Sequence, residues 1–96
     1  MAIGMLVQIP GMTQELYESI MSHMDWENQP KPPGFISHHA GVDADGLVVF
    51  DTWESQQDWE NFAQGRLGEA LAAAGAGGDA PQPQPRFVQL VREDHA

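Results

Sequence analysis

The chain has no cysteine, which excludes disulfides, iron–sulfur clusters, a thiolate nucleophile and cysteine-ligated zinc; stability must come from packing or association. Basic residues are nearly as scarce. Lys31, Arg66, Arg86 and Arg92 stand against 14 Asp and Glu, a formal net charge of -10, which repels phosphate backbones and anionic lipid surfaces. Neither nucleic acid nor a membrane is therefore an expected partner. No apolar run approaches the roughly 20 residues that span a bilayer. Met1 to Pro10 carries neither a basic n-region nor a small-residue cleavage site, so a cytoplasmic protein is expected. At 96 residues the chain is one domain, too short for separate cofactor and substrate halves. A composition 42% hydrophobic and 19% charged is that of a folded chain and not of an acidic disordered one.

The apolar run Ile3 to Ile9, stopped by Pro10-Gly11, reads as a strand buried on both faces. Thr13 is placed to cap a helix with Glu15 in its first turn and an apolar stripe of Leu16, Ile20 and Met24 joined by Tyr17 and Met21, ending near Asp25. Prolines at 30, 32 and 33 make the following segment a stiff surface connection. Phe35 to Val42 and Leu47 to Trp53, around Asp43-Ala44-Asp45-Gly46, read as a hairpin. Ser55 with Asp58 resembles a capping box. It opens a second helix whose stripe runs Trp59, Phe62, Ala63, Leu67, Ala70, Leu71 and Ala74 and which Gly75 terminates. Residues 75–85 read as a mobile Gly/Pro loop, Arg86 to Arg92 as the last strand, and residues 93–96 as a frayed tail.

The order β-α-β-β-α-β predicts an α+β, ferredoxin-like domain over residues 1–96, with a four-stranded antiparallel sheet and both helices on one face. The first strand and Leu47-Val48-Val49-Phe50 place apolar side chains on both sides of the pleat, where a sheet with one wet face would alternate. A homodimer with sheets packed face to face is the expected cover for the second face.

The run Pro33-Gly34-Phe35-Ile36-Ser37-His38-His39-Ala40-Gly41, followed by Gly46 and by Asp51-Thr52-Trp53-Glu54-Ser55, with Phe62 in the next helix, resembles a pattern in the dimeric α+β barrel superfamily. The pattern, Gly-x-x-x-His-x-Ala-Gly then Asp-x-Trp-Glu-Ser, is similar to one in short antibiotic-biosynthesis-monooxygenase-like members, most of which lack an assigned activity. The resemblance spans Ile3 to Arg92, mainly as element order. It implies a homodimeric barrel with a ligand pocket between helices and sheet in each protomer. Members of that superfamily range from cofactor-free oxygenases to haem-degrading enzymes, isomerases, cyclases and non-catalytic binders, so the fold alone does not choose a reaction.

If the hairpin turns on Ala44-Asp45, position 43 faces 46, and the register sets His38 opposite Asp51, Ile36 opposite Trp53 and Ala40 opposite Val49, all on one face. A carboxylate beside an imidazole fixes its tautomer and raises its basicity. His38 and Asp51 are thus a candidate dyad taking a proton from an acidic phenol or enol, or else a cross-strand pair satisfying two half-buried polar groups. Tyr17, Met21, Trp53, Trp59 and Phe62 are candidate walls for a planar apolar or aromatic metabolite, Tyr17 also as a hydroxyl donor; core packing is the alternative role for each, and the favoured one for Phe62. Met5 and Met12 are flexible filler. His39 points to the opposite face, His23 lies off the helix stripe, and no His-x-x-x-His or His-x-His occurs. No metal is expected, and no nucleotide or phosphate-loop motif calls for a cofactor. Arg66 is expected to pair with Glu69 or Asp58 on its helix. The functional expectation is a small-molecule enzyme of the monooxygenase-like or proton-transfer kind, with a non-catalytic binder or a structural dimer of the same fold as alternatives.

Overall fold

The computed structural model describes residues 2–75 and 84–96. Strand β1 (Ile3–Pro10) leads into helix α1 (Gln14–His23), then strands β2 (Phe35–Val42) and β3 (Gly46–Trp53). Helix α2 (Gln56–Phe62) passes through one π-helical turn (Ala63–Leu67) into helix α3 (Gly68–Ala73), and strand β4 (Arg86–Gln89) closes the order. The sheet is four-stranded, in the order β2-β3-β1-β4, and all its pairings are antiparallel. This is the ferredoxin-like arrangement expected from the element order.

The local signals act as the residues predict. The Thr13 hydroxyl accepts the Leu16 amide at 3.1 Å, and the Ser55 hydroxyl accepts the Asp58 amide at 3.1 Å while donating to the Asp58 carboxylate at 2.9 Å. Each satisfies a first-turn N–H that the helix itself leaves without a partner. The hairpin closes through Asp43, whose carboxylate accepts the amides of Asp45 and Gly46 at 2.8 and 3.1 Å.

Gly46 has φ +147°, and a Cβ there would lie 2.4 Å from the Ile9 carbonyl oxygen and 2.7 Å from the Gly11 nitrogen. Both obstacles are backbone. Gly46→Ala is expected to cost on the order of 3 kcal/mol through strain at that φ and a forced shift of β1. Urea unfolding followed by tryptophan fluorescence measures it; a loss no larger than that of an ordinary surface substitution would refute the account.

The secondary structure departs from the sequence reading in three places. A β-bulge between Phe35 and Ser37 pairs Phe35, not Ile36, with Trp53, and Ile36 is left 40% exposed. The bulge exchanges an aliphatic residue for an aromatic ring at the inner face. The second helix is not one α-helix: glycines at 65 and 68 lie in and just beyond its π turn, where weak helix propensity lets the ladder widen. The last strand ends at Gln89, with one further bond from the Leu90 amide to the Ala2 carbonyl at 3.0 Å. Of the expected Gly/Pro loop, residues 76–83 lie outside the described residues.

Inner-face side chains meet the helices in two apolar clusters. Ile20 and Met24 of α1, Phe62 of α2, Ala70 of α3 and Trp53 of β3 form one. Met5, Leu47 and Val49 of the sheet form the other, against Tyr17, Trp59 and Phe87. No helix among the described residues is long and apolar enough to cross a membrane.

Candidate active site

Between the two clusters lies a cavity of about 240 Å3. Its walls are Met5, Val7, Leu47 and Val49 from the sheet, Tyr17, Ile20 and Met21 from α1, and Trp59, Phe62, Ala63 and Leu67 from the second helical segment. One pole is polar, where Tyr17, His38 and Asp51 reach the same space.

The hairpin register brings His38 opposite Asp51, as the turn chemistry implies. His38 Nδ1 is 2.5 Å from Asp51 Oδ1, and the two side chains are 19% and 7% exposed. On the other side of the ring, His38 Nε2 is 2.5 Å from the Tyr17 hydroxyl. The second carboxylate oxygen of Asp51 accepts the indole N–H of Trp53 at 3.2 Å. Four side chains thus form one chain of hydrogen bonds. A His38 ring that donates from Nδ1 to Asp51 can accept the Tyr17 O–H at Nε2, so its two nitrogens can serve both neighbours at once.

The Tyr17 to His38 contact spans 21 residues, and nothing in the sequence points to it. Helix periodicity places Tyr17 on the inner face; only the docking of α1 on β2 decides what its hydroxyl touches. Burial, and secondarily the negative charge of Asp51, push the Tyr17 phenol above its ordinary value. The residue is the chain's single tyrosine, so tyrosinate absorbance reports it alone. Its titration midpoint is expected above the ordinary value of about 10. The native state then keeps a proton that the unfolded chain has lost, so stability falls as pH rises past about 10. Tyr17→Phe removes that alkaline loss, and an unshifted midpoint in wild-type protein would count against this environment.

Of the expected wall residues, Tyr17, Met21, Trp59 and Phe62 line the cavity. Trp53 does not. It is fully buried, sits behind Asp51, and holds that carboxylate in place. A wall that the periodicity does not reveal is Trp26, which follows the end of α1. Asp25 before it has φ +52°, and the Asn28 and then the Gln29 side-chain amides hydrogen-bond its carboxylate and hold it below the usual carboxylate range. Trp26 meets Phe35 and Phe62 edge-on, with centroids 5.2 and 6.1 Å apart. Lys31 Nζ lies 4.4 Å from its ring centroid, and the Arg66 guanidinium 5.5 Å. Arg66 pairs with neither Glu69 nor Asp58. It donates to the carbonyls of Pro30 and Met24 at 2.7 and 3.1 Å, because the π turn aims it across at the end of α1. His23 and His39 are exposed, and among the described residues no three His, Asp or Glu side chains gather as a metal site.

Comparison with solved structures finds the same antiparallel α+β fold in other proteins. A candidate antibiotic biosynthesis monooxygenase from Chloroflexus aurantiacus is similar over 99% of this chain and 98% of its own, at 15% identity and TM-score 0.65. The monooxygenase from the ActVA-Orf6 gene of Streptomyces coelicolor, solved in complex with nanaomycin D, is similar over 99% and 91%, at 19% identity and TM-score 0.61. MhuD, solved with two manganese protoporphyrin IX bound per active site, is similar over the full length of both chains, at 18% identity and TM-score 0.61. No protein-family model and no curated protein sequence matches. The chain has the ferredoxin-like fold of antibiotic-biosynthesis-monooxygenase-like proteins.

Proposed function

We propose that this protein is a cofactor-independent enzyme that removes a proton from an electron-rich hydroxyarene or enol and exposes the resulting anion to dioxygen. The observation that carries this reading is the Tyr17–His38–Asp51–Trp53 chain ending in an otherwise apolar cavity. A substrate hydroxyl at that pole donates to the Tyr17 oxygen as the Tyr17 proton moves onto His38 Nε2. Alternatively, it displaces Tyr17 and donates to Nε2 directly. Either way the proton rests on His38, and the imidazolium is paired with Asp51. The neutral phenol of Tyr17 transmits the proton without storing charge. For a naphthol, dioxygen adds to the ring carbon para to the oxygen, two ring electrons reducing it to a peroxide that the imidazolium protonates. Loss of the proton on that carbon then breaks the O–O bond, leaving a quinone and water. One naphthol and one dioxygen give one naphthoquinone and one water.

The test is to incubate the purified chain with 1-naphthol in air and follow dioxygen uptake and quinone absorbance. The reading expects both in equal amounts with no added cofactor. Neither above the protein-free rate refutes it. A sequestering module of the same fold would instead show binding without uptake.

The same reading includes a homodimer. The outer sheet face presents Leu6 beside Phe50, and Val88 beside Gly4, with Phe50 and Val88 36% and 41% exposed. A Cβ on Gly4 would come within 3.1 Å of the Phe50 ring, so the glycine lets that ring lie flat on the sheet. By strand alternation the face carries no carboxylate in β1, β2, β3 or β4, in a chain with 14 acidic residues. This is the composition that association of two strongly acidic copies requires.

A further inference from the structure

Resting on the proposed site, we infer that the substrate is an uncharged hydroxyarene of one or two fused rings, and that the cavity rejects both three-ring and carboxylated analogues. Size is the first argument. A dry apolar cavity of about 150 Å3 accommodates benzene; scaled by ring carbons at that packing, a two-ring arene needs about 250 Å3 and a three-ring one about 350 Å3. The cavity here is about 240 Å3.

Charge is the second argument. Among the described residues no Lys or Arg lines the cavity, and the one carboxylate that does is that of Asp51. A ligand carboxylate would be desolvated with no cation opposite and a like charge nearby. The approach is also acidic. A surface depression lined by Glu18, Asp25 and Glu27 shares Tyr17, Met21 and Trp26 with the inner cavity, so these three side chains stand between the two spaces. The two nearby cations are engaged: Lys31 donates to the Trp26 carbonyl at 2.6 Å, and Arg66 to the carbonyls of Met24 and Pro30. The pole suits a hydroxyl, since Tyr17 and His38 offer its proton an acceptor.

Trp26 is the largest of the three side chains shared by the cavity and the depression, so its truncation is expected to join the two spaces. Titration calorimetry of the full chain with 1-naphthol, 1-anthrol and 1-hydroxy-2-naphthoate at pH 7 tests the inference. 1-Naphthol is expected to bind, and the other two at least roughly tenfold more weakly, the carboxylate losing most. Trp26→Ala is expected to bring 1-anthrol to within a few fold of 1-naphthol; Met21→Ala opens the same wall should the tryptophan variant fail to fold. Binding of the carboxylate or of 1-anthrol to wild-type protein as tight as that of 1-naphthol overturns the inference, as does no binding of 1-naphthol. Naphthol that binds but is not oxidised refutes the proposed reaction and leaves this inference standing. Turnover of carboxylated or three-ring substrates does the reverse.

Discussion

Replacing His38 with alanine is expected to lower turnover of a hydroxyarene by roughly a hundred- to ten-thousandfold, the usual contribution of a positioned general base. Binding should persist, because most of the cavity wall is apolar and untouched. Asp51→Asn is expected to fall in the same range by a different route. An amide keeps an acceptor for the Trp53 indole but withdraws the charge that stabilises the imidazolium, and it allows the wrong tautomer of His38. Two readouts separate chemistry from mere structure. Added imidazole should restore part of the rate to the alanine variant, and the asparagine variant should show an altered pH–rate profile with little change in ligand affinity. Unchanged turnover in a folded His38→Ala protein removes the proposed base.

Phe50→Asp is expected to convert a dimer into a folded monomer, weakening self-association by at least roughly a thousandfold. The magnitude follows from symmetry. One substitution places a carboxylate in each copy of a self-complementary interface, so two charges are desolvated together against each other. Within one protomer Phe50 lies over Gly4 on the outer face, away from the helices, so the inner core should hold and circular dichroism should be unchanged. Sedimentation equilibrium of both proteins decides the matter. A wild-type chain that sediments as a lone subunit refutes the dimer, and an unaltered assembly in the variant moves the interface elsewhere.

Most of the architecture follows from signals within a few residues of each other. Thr13 and Ser55 cap helices, Asp43 and Gly46 close a two-strand turn, and short apolar runs mark the strands. Each is a local free-energy preference that tertiary contact reinforces. The register of His38 against Asp51 is readable for the same reason, since a hairpin turn fixes pairing across its own strands. The bulge at Ile36 is not readable. It depends on which side chain, Ile36 or Phe35, packs better against the Trp53 and Trp26 rings, and that choice is made by residues far away in the chain. The π turn likewise leaves the apolar stripe looking like a single helix.

What the amino-acid order determined by itself is therefore the element sequence, the inner and outer faces of the hairpin, and the imidazole–carboxylate pair, because all three rest on short-range backbone geometry. Only the tertiary structure decided that Tyr17 completes the chain, that Trp53 buttresses Asp51 from behind instead of lining the cavity, and that Trp26, with Arg66 over its ring, forms part of the wall. Those outcomes depend on how α1 and the second helical segment dock on the sheet, and docking is set by the summed packing of many side chains, which no single spacing encodes.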